Sequence, residues 1–199
     1  MRISILMEGA TERAFLPHLR AFLQTRLAGQ MPRLDPLPFD GRIPKGPELR
    51  RRVLKLLNGN PASDIVIALT DVYTGTTPPD FEDAADAISK MRQWVPDEPR
   101  FFPHAAQFDF EAWLLPFWSR ITDLAGSNRA PFAANPEAVN HNKPPAHRLN
   151  EIFTKRKYVK PRDAGRILDG QNLADSAAQC ASLKAFLSTI LTQCGAPPL

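Results

Sequence analysis

The sequence predicts an α/β protein, a partly parallel sheet flanked by helices and followed by a C-terminal helical extension. Three observations predict it. A short apolar-rich run, Ile3-Ser-Ile-Leu-Met7, stops abruptly at Glu8-Gly9 and passes straight into a helical pattern. A second run, Asp64-Ile-Val-Ile-Ala-Leu-Thr-Asp71, is continuously apolar before its closing acid, the signature of a parallel strand buried on both faces. Strand-like and helix-like stretches then alternate, the pattern of parallel strands joined by crossover helices.

Taken in order, the first strand ends at Glu8. Gly9 is expected to allow a tight turn, and Thr11 is expected to cap the next helix, with Glu12 in its positively polarised first turn. Phe15, Leu16, Leu19, Phe22, Leu23 and Leu27 form its apolar stripe, Pro17 is expected to kink it or delay its start, and Gly29 to close it. Residues 33–39 read as a proline-marked strand at or near a sheet edge. Pro47 opens a second helix with Leu49, Val53, Leu56 and Leu57 inward and Arg50, Arg51 and Arg52 on a solvated face, and Asn58-Gly-Asn-Pro61 stops it.

After the strand ending at Asp71 comes a loop with Gly75 and Pro78-Pro79. A helix with Phe81, Ala84, Ala85, Ile88 and Met91 inward follows. Arg100-Phe-Phe-Pro-His-Ala-Ala-Gln107 reads as a further strand, running into Phe108-Asp109-Phe110-Glu111-Ala112, another strand-to-helix turn with acids at its lip. From residue 127 onward Asn- and Pro-rich linkers alternate with short helical pieces. We therefore divide the chain into an α/β core, 1–126, and a helical extension, 127–199, packed on that core as one domain.

With 199 residues, 43% hydrophobic and 23% charged, the chain can bury a sizeable core. No apolar run approaches the roughly 20 residues of a membrane helix, and the start enters a strand directly, so a cytoplasmic protein without membrane contact is expected. Cys180 and Cys194 read as reduced core residues. A net charge of +4 permits nucleic-acid binding without demonstrating it. His18 and His104 read as packing or surface residues, His141 and His147 lack zinc-ligand companions, and Trp94, Trp113 and Trp118 read as packing aromatics. There is no Gly-x-x-x-x-Gly-Lys phosphate loop, nucleophile elbow or dinucleotide fingerprint.

Three strands thus bring acids to the same kind of place: Glu8, Asp71, and the pair Asp109 and Glu111. In open α/β sheets ligands bind in the crevice beyond the strands' carboxyl ends. Acids also close strands for solubility, so one alone carries no weight, but three at successive strand ends do. Two carboxylates about 4 Å apart repel by about 4 kcal/mol at an effective dielectric of about 20. Either a hard cation such as Mg²⁺ or Mn²⁺ offsets that repulsion, or one carboxyl keeps its proton through a raised pKa.

These residues carry a resemblance. Strands ending in Glu-Gly, with Thr-Glu after, and then in Asp resemble the TOPRIM fold of topoisomerases, primases and overcoming-lysogenization-defect nucleases. The chain is more closely similar to the bacterial TOPRIM-like family labelled domain of unknown function 4276. The similarity rests on Met7-Glu8-Gly9-x-Thr11-Glu12, Leu69-Thr70-Asp71-Val72-Tyr73, Arg100-Phe-x-Pro103, Phe108-Asp109-Phe110-Glu111-Ala112, Pro145-Ala-His-Arg-Leu149 and Lys157-Tyr-Val-Lys160. It implies a Mg²⁺- or Mn²⁺-dependent nuclease acting on DNA or RNA. Glu8, Asp71 and Glu111 would be catalytic, and Glu8, Asp71, Asp109 and Glu111 would be metal ligands. Glu12, Tyr73 and Asp80 would give support. The resemblance further implies bacterial antiviral defence beside an ATPase partner of the AAA or ABC type, and a homodimer is the default expectation. One departure stands out: the usual Asp-x-Asp is here Asp71-Val72-Tyr73. The rival reading is therefore a non-catalytic TOPRIM-like subunit that binds an ATPase or nucleic acid.

From Lys143 to Arg166 there are eight basic residues (Lys155 among them) against two acids. Such a stripe suits phosphate contacts. Lys143, His147, Arg148, Lys157 and Lys160 are the candidates for nucleic-acid binding, four of them within the matched motifs.

Overall fold

A computed structural model describes residues 1–199 apart from 30, 40, 74, 75, 140–142 and 155. Gly75, His141 and Lys155 of the sequence reading lie outside the described residues. The first half alternates strands and helices: β1 (Arg2–Met7), α1 (Ala10–Arg26), β2 (Arg33–Pro38), α2 (Gly46–Asn58), β3 (Ile65–Asp71), α3 (Ala84–Trp94) and β4 (Phe101–Ala106). The strands lie in the order β2-β1-β3-β4, and all three pairings are parallel. The sheet among the described residues is thus wholly rather than partly parallel.

β1 and β3 occupy the centre, which is why their side chains are apolar on both faces. Alternate residues sort to opposite sides. Ile3, Ile5, Ile67 and Leu69 join a core with α1 and the C-terminal helices, whereas Leu6, Val66 and Ala68 pack with α2 and α3. β2 is an edge strand with Pro36 and Pro38, as its prolines predict, and β4, which holds Pro103, forms the opposite edge.

Several local expectations are corrected. Gly9, not Thr11, is the N-cap of α1; Thr11 is buried in the first turn. Gly9 has φ −166°, extended backbone open to any residue, so the turn does not draw on glycine's freedom. α1 begins at Ala10 and runs through Pro17 to Arg26, so the proline neither delays nor ends it. In α3 it is Ala87, not Ala85, that is buried beside Met91, and the side chain of Asp83 caps the helix through the Asp86 N–H. Pro47 sits in the first turn of α2, as expected.

Beyond β4 the chain enters a 3-10 helix (Phe110–Phe117), then α4 (Trp118–Ala125), a 3-10 turn (Pro136–Ala138), α5 (Pro145–Ile152), α6 (Lys160–Leu168), α7 (Leu173–Ala177) and α8 (Ala181–Gln193). α6 packs along α1, and α8 packs on β4. Trp113 ties these parts together. Its ring meets Phe110, Phe15 of α1 and Phe186 of α8 at centroid distances of 5.2, 6.0 and 5.8 Å, and its indole N–H donates to Ser182 Oγ at 2.7 Å. Aromatic pairs of this kind contribute about 1 kcal/mol each beyond the area they bury. Cys180 is buried and Cys194 partly so, both as free thiols. His104 is packed edge-on against Phe186 and bonded to Thr189 Oγ1 at 3.1 Å, and burial lowers its pKa to about 4. Among the described residues no helix is long and apolar enough to cross a membrane.

Candidate active site at the strand ends

Because β1, β3 and β4 are parallel neighbours, their carboxyl ends open onto one side of the sheet. The register aligns Met7 with Leu69, so Glu8 follows directly beside Thr70 and Asp71. Glu8 Oε1 accepts the Thr70 hydroxyl in a short hydrogen bond, and the Asp71 N–H at 3.1 Å. The β4 side arrives through Phe108, whose φ of +68° lies in the left-handed region that non-glycine residues seldom adopt. That bend turns the Phe108 carbonyl to the Tyr73 N–H at 2.6 Å, stitching the loop after β3 to the loop after β4. Asp109 follows, then Glu111 in the first turn of the 3-10 helix, 3% and 0% exposed.

Each acid has a distinct set of partners. Asp109 Oδ2 accepts the Ala146 N–H at 3.1 Å in the first turn of α5, whereas Asp109 Oδ1 is buried without a hydrogen-bond partner. Glu111 Oε1 accepts the Tyr158 hydroxyl at 3.4 Å, and its Oε2 pairs with Lys160 Nζ at 3.3 Å. Glu12, buried in the first turn of α1, stands in the same field.

The electrostatics follow from burial and like charge. Burial first, and Glu12 after it, push Glu8 up from 4.5 to about 7 against the two hydrogen bonds it accepts. Burial and Glu111 push Asp109 up from 3.8 to about 8. Asp71 is held well above its usual value by burial and by Glu8, Glu12, Asp109 and Glu111 together. Glu12 is raised by burial and by Glu111. Burial acts against the Lys160 cation, yet Glu111, Asp109 and Asp71 outweigh it and keep the ammonium firmly protonated. Tyr158 is raised by burial and by Glu111, Asp109 and Asp163, so its phenol remains a donor.

Behind Lys160 stands a residue that sequence reasoning missed. Asp163 of α6 is fully buried and accepts the Val159 N–H at 2.7 Å, Arg156 at 2.6 Å and Arg162 at 3.1 Å. Burial alone would raise it, but those contacts lower it to about 2. The segment 156–160 that delivers Tyr158 and Lys160 to Glu111 is fastened by it. In the sequence Asp163 looks like a stray acid in a basic stripe, with no signal that it is buried; Tyr158 at least lay within a matched motif.

The other candidates fall elsewhere. Asp80 forms an ion pair with Lys45 at 2.5 Å. Tyr73 reaches the site with its backbone while its side chain remains 55% exposed. Lys143, His147 and Arg148 all turn to Glu151, at 2.8, 3.6 and 3.3 Å. Lys157 is exposed, and of the basic candidates Lys160 is the one paired with a crevice acid.

As placed, no three acid, histidine or cysteine side chains among the described residues stand close enough to hold a metal ion. The donor set still fits a hard cation: its ligand atoms are carboxylate oxygens, one of them, Asp109 Oδ1, is buried and unpartnered, and the acids carry an excess of like charge.

The model of a family described as "Domain of unknown function (DUF4276)" matches residues 7–191. A comparison with curated proteins finds no match. Among solved structures, the C-terminal region of the Burkholderia pseudomallei OLD protein is similar at a TM-score of 0.55 and 17% identity, over 96% of this chain and 98% of that one. The C-terminal region of the Xanthomonas campestris pv. campestris OLD protein gives 0.45 and 17%, over 97% and 95%. The Burkholderia likeness is one of fold, and the fold is the TOPRIM-like α/β arrangement.

Proposed function

The chain belongs to the DUF4276 family, and from that premise we propose that it is a TOPRIM-like nuclease, dependent on Mg²⁺ or Mn²⁺, that hydrolyses phosphodiester bonds in DNA or RNA. The observation that carries this reading is the group of mutually repelling carboxylates, buried except for the half-buried Asp71, at the ends of three adjacent parallel strands, with Lys160 reaching into it. A fold tolerates such a group where a cationic ligand relieves it.

In this reading Asp71, Asp109 and Glu111 would hold the cation. A bound divalent ion supplies Lewis-acid polarisation of the phosphate and a more acidic water. Glu8, with a pKa of about 7, exchanges a proton near neutral pH and takes the role of general base towards the attacking water. Thr70 and the Asp71 N–H fix its Oε1, leaving the other oxygen for that task. Lys160 offsets negative charge as it builds on the phosphoryl oxygens. Lys157 and Arg166, exposed on the same segment, are suited to backbone phosphates. We place the activity in bacterial antiviral defence with an ATPase partner, on the strength of the resemblance to overcoming-lysogenization-defect nucleases.

The rival is a subunit that binds an ATPase or nucleic acid without turnover, favoured by Tyr73 at the position of a second aspartate. Calorimetric titration with Mn²⁺ separates the two, because metal binding needs no activating partner. The nuclease reading expects binding in wild type, its loss in Asp71→Ala, and cleavage of a labelled oligonucleotide at least about 100-fold slower in Glu8→Ala. No Mn²⁺ binding, or cleavage unchanged in both variants, sinks it.

A further inference from the structure

Three large hydrophobic residues are exposed among the described residues: Met1 at 47%, Tyr73 at 55% and Val159 at 43%. Two of them flank the carboxylate group. Tyr73 lies two residues after Asp71, and Val159 immediately precedes Lys160.

Tyr73 is held at its base and open at its tip. Its N–H donates to the Phe108 carbonyl at 2.6 Å, while the residue as a whole is 55% exposed. Phe108, itself only partly buried, holds a positive φ of 68° to make that bond. Strain of this kind in a non-glycine residue collects at functional sites, where the surrounding structure holds it in place. The backbone geometry therefore fixes where an exposed aromatic ring emerges, between the strand that carries Asp71 and the turn that carries Asp109.

We propose that Tyr73 is a stacking platform for an unpaired nucleobase, so that the site takes single-stranded nucleic acid in preference to duplex. The inference rests on the nuclease reading and names its substrate class. A base in a duplex has both faces covered by its neighbours, whereas an unpaired base offers a π-face to an aromatic side chain. A cation completes the match: Lys160, which pairs with Glu111 and stands in the field of Asp71, two residues before Tyr73, suits a phosphate beside a stacked base. A second aspartate at this position would add to a group of acids already in excess; a tyrosine adds no charge and presents a ring.

The test is binding rather than cleavage. Fluorescence anisotropy in Ca²⁺ buffer compares wild type, Tyr73→Phe and Tyr73→Leu on a single strand of about 12 nucleotides and on its blunt duplex. The platform expects tighter binding of the single strand, retention of that preference in Tyr73→Phe, and roughly tenfold weaker single-strand binding in Tyr73→Leu with duplex binding unchanged. A 2-aminopurine at the stacked position should be quenched by wild type and Tyr73→Phe but not by Tyr73→Leu, a signature a merely structural role would not produce. Because Tyr73 is exposed, the melting temperature should not change. Equal affinity for both forms, or full single-strand affinity in Tyr73→Leu, overturns the platform and leaves the nuclease reading standing. Binding of neither form removes the nucleic-acid substrate, and the platform with it.

Discussion

The two ends of the same sheet treat acidic residues in opposite ways. At the strand starts, Asp35 of β2 is gripped by Arg2 and by Arg33, the latter at 2.9 Å, and Asp64 accepts the Arg2 N–H at 2.5 Å. Burial alone would raise Asp35, but the two arginines bring it below its usual value. At the strand ends, Glu8, Glu12, Asp71 and Asp109 are all raised, first by burial. One end pairs its acids with arginine, whereas the other sets its acids against burial and one another. Acids placed only to keep strand ends soluble would be exposed or paired, so the contrast singles out the carboxyl end as the place where acidic charge is least offset.

The contrast predicts its largest effect in the response of the whole acid group to pH. Glu8 and Asp109 keep their protons up to about 7 and about 8 in the folded state, whereas the unfolded chain releases them near 4. The folded state therefore binds more protons across that window, and stability of the cation-free protein should fall by several kcal/mol as pH rises from about 5 to about 8. Mn²⁺ should flatten the slope and stabilise more at the upper end, because it replaces protons. Thermal melts with and without Mn²⁺ read this directly, and a cation-free melting temperature that rises through that window refutes it.

Next in size is Asp163, the buried acid that is fully satisfied. Asp163→Ala leaves the Val159 N–H and two arginines without their acceptor and should cost about 3 kcal/mol in urea unfolding. It should also slow cleavage by loosening Lys160. A loss in stability without any effect on cleavage would separate the anchor from the site.

The smallest effects come from paired substitutions at the two ends, and they should differ in sign. At a pH of about 8, Asp109→Asn should stabilise the cation-free protein by about 1 kcal/mol by removing a charge from the repelling group. Asp35→Asn should destabilise it by less than about 1 kcal/mol, because its partners are partly exposed. Equal signs would mean that the two ends do not differ as described.

Much of this was legible in the sequence. β1 and β3 announced themselves because a central parallel strand needs apolar residues on both faces, and the same rule placed Glu8 and Asp71 at their ends. The prolines of β2 marked it as an edge. What stayed hidden depends on distant packing. The 3-10 helix Phe110–Phe117 is apolar throughout except for Glu111 and shows no periodicity from which to read its type. Which basic residue reaches the acids depends on α6 lying along α1, so the stripe from Lys143 to Arg166 could not single out Lys160. Lys143, His147 and Arg148 looked equally suited to phosphate, but Glu151 of α5 holds all three, His147 and Arg148 from one turn earlier in that helix and Lys143 from just before it.

The two edge strands have a consequence for assembly. β2 carries Pro36 and Pro38 and β4 carries Pro103, so each border of the sheet lacks backbone donors that an added strand would need. Neither border is suited to templating growth of the sheet from one molecule to the next, which guards against fibrous aggregation. Any ATPase or second copy that joins this protein must then recognise it through side chains on its helical faces and loops, so that the specificity of the assembly is written in surface residues rather than in a shared backbone ladder.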